Sequence, residues 1–272
     1  MDETANKFLR RKVAIEVSLM VGFLLFFIGI IFLIVSARLA LALSLSIGGF
    51  VLFAFSVGGY TKLIHDFKHH FIETALAGVV KHAKHVPHEG LSMHQIHSSG
   101  FTVDKETRRE NFLSGVLEQT AFVSSDFQDN NTHPQKMFIF EMHHHFRTNL
   151  LCYKEPTNIK EAEHYVPIHT GRIVKDFPLK VVAEEKYEAD HVLTPYIANY
   201  MKRLVDLDCV HAASFAFYES RFSVCFHGGF DFAFKPFRSI PQTEIKRFRD
   251  AISALAHIVE ALRANPHAFK KN

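Results

Sequence analysis

Two groups of histidines in this sequence have the spacing of metal ligands. His65, His69 and Glu73 follow at intervals of four residues, which aligns them on one face of a helix. Two histidines one helical turn apart can bind zinc when a third ligand lies nearby. His143 and His145 would share one face of a β-strand. These five residues are the candidate metal ligands, although a solvated polar surface is the interpretation that we favour.

Histidine is also abundant, with 19 residues in the chain. On the strand that would carry His143 and His145, His144 would point toward the apolar face, where we expect a buried, hydrogen-bonded ring. Clustered histidines can respond to acid, because an unperturbed imidazole titrates near pH ~6.5. A metal or pH sensor is therefore one of the functions to be considered.

Cys225 and His227 would share a strand face, as a thiol nucleophile and its base require. Catalysis also needs contact between the two groups and a lowered thiol pKa, so a core cysteine is the favoured interpretation. The chain contains no Gly-x-Ser-x-Gly elbow, Gly-rich phosphate loop, dinucleotide-binding fingerprint or kinase motif set. We therefore predict no catalytic or cofactor-binding residue, and an enzyme is the least favoured class.

The elements that carry these residues differ before and after residue 60. Of the 272 residues 48% are hydrophobic, and residues 17–36 and 39–60 contain no charge. A run of ~18 or more apolar residues is typical of a membrane-spanning helix. We predict a basic N-terminus at 1–12, a two-span transmembrane hairpin at 13–60 and a cytosolic domain at 61–272.

Positive charge around the spans predicts their orientation. Arg38 is the only basic residue in the turn, whereas four basic residues precede the first span and four follow the second: Lys7, Arg10, Arg11, Lys12, Lys62, Lys68, Lys81 and Lys84. Lys and Arg are enriched in cytoplasmic flanks, so both termini are predicted to be cytoplasmic. A cleaved signal peptide is the competing interpretation, but the first apolar run is too long for one.

Small residues recur at every fourth position of the second span, at Ala40, Ser44 and Gly48. This spacing lets helix backbones approach closely in lipid. We predict that these residues pack the two spans against each other, and a homo-oligomer is the alternative. The formal net charge of +3 gives no reason to expect a nucleic-acid partner.

The remainder of the chain has the pattern of an α+β domain with an antiparallel sheet and flanking amphipathic helices. Apolar spacing of three or four residues predicts helices at 61–85, at 189–205 and, after a capping box at Ser239 and Gln242, through Leu262. Alternation and short apolar runs predict strands at 112–116, 121–127, 136–147, 177–183, 211–217, 221–227 and 230–234.

From Phe177 onward the order of these features resembles a bacterial family of membrane-anchored proteins with a domain of unknown function. The resemblance rests on the extended segment 177–182, the Leu193-Thr194-Pro195 helix start and the final amphipathic helix. It implies a location in the bacterial inner membrane and a LemA-type membrane protein as a partner. It implies no activity, cofactor or catalytic residue.

The function predicted from these observations is that of a non-catalytic binding or scaffold protein. The hairpin would anchor the α+β domain in the lipid bilayer, and the domain would recruit or regulate another membrane protein. The alternative is a His-rich sensor of pH or of a transition metal, the one cofactor to be considered.

Overall fold

The computed structural model describes residues 3–35, 39–104, 106–128, 135–154, 164–169, 174, 176–208, 210–227 and 242–270. Contacts divide the chain into two compact units. The first unit includes the chain up to Phe71, and the second begins at Ile72. Two long helices form the first unit, and a β-sheet organises the second.

The first unit pairs helix α1 (Glu3–Val35) with helix α2 (Leu39–Leu76). Both helices are long and apolar enough to cross a membrane, so the two predicted apolar helices are confirmed. They run antiparallel, since Gly29 approaches Ser46, Gly22 approaches Phe53 and Gly59 approaches Ile15.

Helix α2 ends earlier than the predicted helix at 61–85. The backbone amides of Val79 and Val80 both donate to the carbonyl oxygen of Leu76, at 3.0 Å each. Gly78 has a φ of 80°, a conformation that ends helices and suits glycine. Residues 81–85 are therefore not helical and lie in strand β1 (Lys81–Val86). The apolar spacing continues through Val80, so it did not predict that the helix ends before Gly78.

The second unit has the predicted α+β class, and its described residues include an antiparallel sheet of nine strands. The strands lie in the order β1-β2-β3-β4-β9-β8-β5-β7-β6. After β1 they are β2 (Arg108–Leu117), β3 (Thr120–Gln128), β4 (Gln135–Glu141), β5 (Leu150–Tyr153), β6 (Val166–Ile168), β7 (Lys180–Ala183), β8 (Ala212–Tyr218) and β9 (Arg221–His227). The hairpin of β8 and β9 lies between β4 and β5, so the sheet joins distant parts of the chain.

Among the described residues, four α-helices accompany the sheet: α3 (Met93–His97), α4 (Lys186–Val192), α5 (Pro195–Val205) and α6 (Gln242–Arg263). The predicted helix at 189–205 is divided, because Pro195 lacks an N–H and cannot continue α4. Thr194 caps α5 by accepting from the amide of Ile197 at 3.4 Å. The final helix is confirmed, while the predicted cap Ser239 and the predicted strand 230–234 lie outside the described residues.

Both faces of the central strand β4 are buried. Phe138 and Phe140 share one face, and the Phe140 ring stacks on Phe222 with centroids 5.8 Å apart. Met137 and Ile139 belong to a second cluster with Leu91, Ile96 and Phe101, among others. A strand buried on both faces reads as a continuous apolar run, which explains why its signal in the sequence is strong.

Strand β4 ends at Glu141, so the predicted strand over 136–147 is wrong beyond that residue. The Met142 amide donates to the carbonyl of Ser220, and the Phe146 amide donates to that of Glu219, both at 2.7 Å. The chain between them bends, and all three of its histidines are exposed: His143, His144 and His145. His144 is therefore not buried, and His143 and His145 do not share a strand face.

Candidate functional site

Glycines hold the backbones of α1 and α2 in contact. A Cβ added to Gly22 would lie 2.7 Å from the backbone nitrogen of Phe53, and one added to Gly49 would collide with that of Phe26. Carbon and nitrogen atoms that are not bonded to each other do not approach so closely, so only glycine fits at either position. Ser46, which faces Gly29, is 9% exposed. The hairpin interior therefore consists largely of small residues and backbone.

The small residues that were predicted to form this interface point away from it. Ala40 and Ser44 are exposed, and nothing lies within 4 Å of a Cβ added to Gly48. The prediction that they pack the two spans together is wrong, because Ala42, Ser46 and Gly49 do so instead. Small residues lie on both faces of α2, and spacing alone does not tell which of them meets α1.

Large apolar side chains cover the outside of the hairpin. Among the exposed large hydrophobic residues that the structure describes, all but Val166, Tyr187 and Tyr196 lie between Leu9 and Val57. Phe55 is 77% exposed and Ile34 is 79% exposed. A continuous apolar surface of this kind marks a lipid or protein contact.

Within the described residues of α1 and α2, charged side chains lie toward one end of the helix pair. Lys12 is 4% exposed and contacts Glu16, one turn further along α1. Arg11 lies 3.9 Å from Asp66 of α2. Ionisable residues are expensive within hydrocarbon, so the apolar part of the hairpin begins beyond this end.

The candidate metal ligands of the sequence are not assembled into a site. His65 and His69 lie on α2 in the first unit, and Glu73 lies near the end of the same helix in the second. His143 and His145 lie in the bend after β4. Within the described ranges, no group of three or more His, Cys, Asp or Glu side chains is placed to hold a metal ion.

Both described cysteines are buried thiols. Burial raises the pKa of Cys225 to about 12 and also raises that of Cys152 well above its ordinary range. The Cys225 Sγ donates to Oε1 of Gln135 at 3.5 Å. Because the thiolate is the reactive form, this environment does not suit a nucleophile.

A cleft of about 440 Å³ opens in the second unit where the β2–β3 turn, the bend after β4 and the C-terminal segment meet. Its lining combines apolar and nitrogen-bearing side chains: Thr120, Met142, His143, His144, Arg263, Pro266, Phe269 and Lys270. We call this the basic cleft. Its volume lies in the range of small-molecule sites.

The C-terminal segment is fixed at the basic cleft by backbone contacts. The amide of Lys270 donates to the carbonyl of His145 at 2.8 Å, and Arg147 donates to that of Ala268 at 2.9 Å. Phe146 and Phe269 form a bridge, and their rings stack with centroids 5.0 Å apart. These contacts hold Lys270 beside the bend that contains His143, His144 and His145, which we call the histidine bend.

Arg263 fixes the opposite side of the basic cleft. Its guanidinium donates to the carbonyl of Glu118 at 2.7 Å and to Oε1 of Gln119 at 2.9 Å. Glu118 and Gln119 are the two turn residues between β2 and β3, and their φ angles are 45° and 60°. Left-handed conformations are strained for residues other than glycine and recur at functional sites.

The sequence pointed to only part of this cleft. Its histidine triplet is conspicuous, but Thr120, Arg263 and Lys270 are far from it in the chain. No spacing rule connects residues that meet only after the sheet and α6 have formed.

The fold and the site thus define an α+β sheet domain joined to two apolar helices of membrane-spanning length. No family model and no curated protein matches the sequence. Among solved structures, the chain is similar to the mycobacterial trehalose monomycolate transport factor A, TtfA, with a TM-score of 0.46 and 8% identity. That similarity covers 73% of this chain and 96% of the other.

Proposed function

We propose that this is a membrane-anchored, non-catalytic scaffold protein. The hairpin spans a bacterial inner membrane, both termini are cytoplasmic, and the sheet domain binds another membrane protein at the cytoplasmic face. The observation that carries the proposal is the inverted hairpin, in which small residues face inward and large apolar residues face outward.

A hydrocarbon environment would stabilise this surface. Burying one large apolar side chain stabilises by about 1.5–3 kcal/mol, and more than a dozen such side chains cover the hairpin. Two helices also satisfy their own backbone hydrogen bonds, as a spanning segment must. The basic flanks of the spans support the orientation with both termini inside.

Burial raises the pKa of Cys225 and Cys152, which argues against either thiol as a catalytic nucleophile. For the partner we propose a LemA-type membrane protein. The sheet domain offers two exposed aromatic residues as contacts, since Tyr187 of α4 is 90% exposed and Tyr196 of α5 is 61% exposed. Tyrosine is enriched among the residues that dominate binding energy at protein interfaces.

Affinity purification of the full-length protein from native membranes tests this proposal, with bound metal measured on the same sample. We expect a near-stoichiometric membrane protein without zinc, nickel or copper. Tyr187→Ala with Tyr196→Ala should reduce its recovery, and Asn199→Ala, an exposed control on α5, should not.

Two results would contradict the scaffold proposal. One is the absence of any stoichiometric membrane partner. The other is about one equivalent of metal that is lost in His65→Ala with His69→Ala, or in His143→Ala with His145→Ala. The second result would establish the metal sensor in its place.

A further inference from the structure

We propose that the basic cleft binds a phosphomonoester whose phosphoryl group is attached to a short apolar body. This inference is independent of the hairpin and of any protein partner, because it rests only on residues of the second unit.

The charge of the lining selects an anion. Arg263 and Lys270 are cationic, His143 and His144 add imidazole groups, and none of the eight lining residues carries a carboxylate. Glu118 belongs to the adjoining turn, but its side chain is not part of the lining. An anion entering the cleft would therefore meet donors from three separate segments of the chain.

The Arg263 guanidinium is preorganised to bind an anion. Both of its described acceptors, the Glu118 carbonyl and the Gln119 side-chain oxygen, are neutral. They orient the guanidinium without cancelling its charge. A donor that is already fixed loses little freedom when it binds, and arginine is well suited to phosphate oxygens.

The strained turn at Glu118 and Gln119 and the Arg263 side chain support each other. Glu118 and Gln119 adopt left-handed conformations that glycine or asparagine would occupy more readily. Arg263 stabilises the turn from outside, and the turn in return orients Arg263 beside the cleft. Strain of this kind persists only where the surrounding structure imposes it.

The number of donors favours a phosphoryl group over a carboxylate. A phosphomonoester presents three terminal oxygens and up to two negative charges, whereas a carboxylate presents two oxygens and one charge. Guanidinium, ammonium and imidazole donors can share the three oxygens. A carboxylate offers only two oxygens and one charge to the same groups, so it would be bound less strongly.

The floor of the cleft accounts for the apolar body of the ligand. Met142 is 7% exposed and Phe269 is 9% exposed, and both line the cleft beside Pro266. The His144 ring lies 6.2 Å from the Phe269 ring, centroid to centroid. Basic groups thus lie beside an apolar surface, which suits a phosphate that carries an alkyl or acyl chain.

Titration calorimetry on the full-length protein in neutral micelles tests the proposal with three soluble probes. Hexyl phosphate has both features of the ligand, glycerol 3-phosphate lacks the apolar chain, and hexanoate replaces the phosphate by a carboxylate. We expect hexyl phosphate to bind most tightly. Protein-free micelles give the background heat of partition.

Two variants locate the binding. Lys270→Gln, and separately His143→Gln with His144→Gln, should each weaken hexyl phosphate binding by about tenfold, the effect of one lost charge-assisted hydrogen bond. Lys246→Gln removes the same charge from an exposed position near the start of α6 and should leave the affinity unchanged.

The outcomes separate the sources of the ligand. Tighter binding of hexyl phosphate than of glycerol 3-phosphate supports a lipid-like phosphomonoester, whereas equal binding overturns the role assigned to the apolar floor. No binding of either phosphate, equal or tighter binding of hexanoate, or equal weakening by Lys246→Gln would overturn the proposal.

Discussion

In the hairpin, glycine and serine lie between the helices and large apolar residues lie outside, whereas in the sheet domain phenylalanines fill the centre. Phe55 of α2 is 77% exposed, and Phe222 of β9 is 0% exposed. Water drives apolar side chains inward in the sheet domain. In the hairpin that order is reversed, as it is when the surrounding solvent is lipid. The same residue type therefore has a different role in each unit.

Truncating one phenylalanine in each unit should give the largest contrast. Phe222→Ala removes a ring that contacts Phe140, Phe215 and Phe217, and we expect a loss of about 3–5 kcal/mol in the free energy of unfolding. Phe55→Ala should change it by less than about 0.5 kcal/mol. Denaturant titration of the micelle-embedded protein, followed by near-UV circular dichroism, measures both. Equal losses would show that the outer surface of the hairpin is buried against protein.

Glycine substitutions sharpen the comparison within the hairpin. Gly49→Leu would drive a side chain into the backbone of α1 and should destabilise the helix pair by about 3 kcal/mol. Gly48→Leu, one residue away on the open face, is the matched control and should have almost no effect. SDS titration with spin labels on α1 and α2 reports the separation of the helices. A larger effect of Gly48→Leu would indicate that Ala40, Ser44 and Gly48 form an interface with another chain.

Each unit also contains a buried lysine with a carboxylate partner. In the sheet domain Lys136 Nζ lies 2.6 Å from Asp126 Oδ1, and Asn111 donates to the other carboxylate oxygen at 2.7 Å. Lys136→Met should cost about 2 kcal/mol, because the carboxylate loses its counter-charge while Asn111 and partial exposure still solvate it. Chemical denaturation measures the change. Lys136 Nζ also lies over the rings of Phe138 and Phe248, 5.8 and 5.7 Å from their centroids. An unchanged midpoint would mean that methionine packing against these rings compensates for the lost ion pair.

The support of the strained turn should have a smaller effect. Arg263→Lys keeps the positive charge but loses the paired hydrogen bonds to Glu118 and Gln119, and we expect a loss of about 1 kcal/mol. Gln119→Gly in the same background should restore much of it, because glycine adopts a positive φ without strain. If Gln119→Gly does not restore stability, Arg263 does not stabilise the protein through this turn.

Thiol reactivity tests burial without altering the core. The pKa of Cys225 is raised from about 9 to about 12, so the folded state keeps a proton that the unfolded state releases. Its contribution to stability is complete below about pH 9 and is lost as the pH rises toward 12. In a Cys209→Ser background, Cys152 and Cys225 should react with a maleimide at pH 8 only after unfolding. Rapid labelling of the native protein would contradict their burial.

The parts of the fold that were predictable are those in which one local pattern decides the structure. Two uncharged apolar runs indicated α1 and α2, and alternating residues located β2, β3 and the β8–β9 hairpin. The prediction failed where a contact from elsewhere in the chain decides the conformation. Strand β4 ends because Met142 bonds to Ser220, and β1 forms because β2 provides a partner.

The candidate site was less predictable for the same reason. Arg263 and Lys270 reach the histidine bend only through α6 and the Phe146–Phe269 bridge. Likewise, Gly48 and Gly49 are adjacent in sequence, yet only Gly49 faces α1. Which face of a helix meets its neighbour depends on tertiary packing, and residue spacing alone does not predict it.

Cysteine accessibility in intact spheroplasts tests whether the hairpin anchors a cytoplasmic sheet domain. Arg38→Cys and Tyr187→Cys are compared in the Cys209→Ser background with a membrane-impermeant maleimide. We expect the cysteine at position 38, between α1 and α2, to be labelled in intact spheroplasts. The cysteine at position 187 should be labelled only after the membrane is opened. Labelling of position 187 in intact spheroplasts, or release of the chain from the membrane by alkaline carbonate, would contradict a cytoplasmic sheet domain anchored by the hairpin.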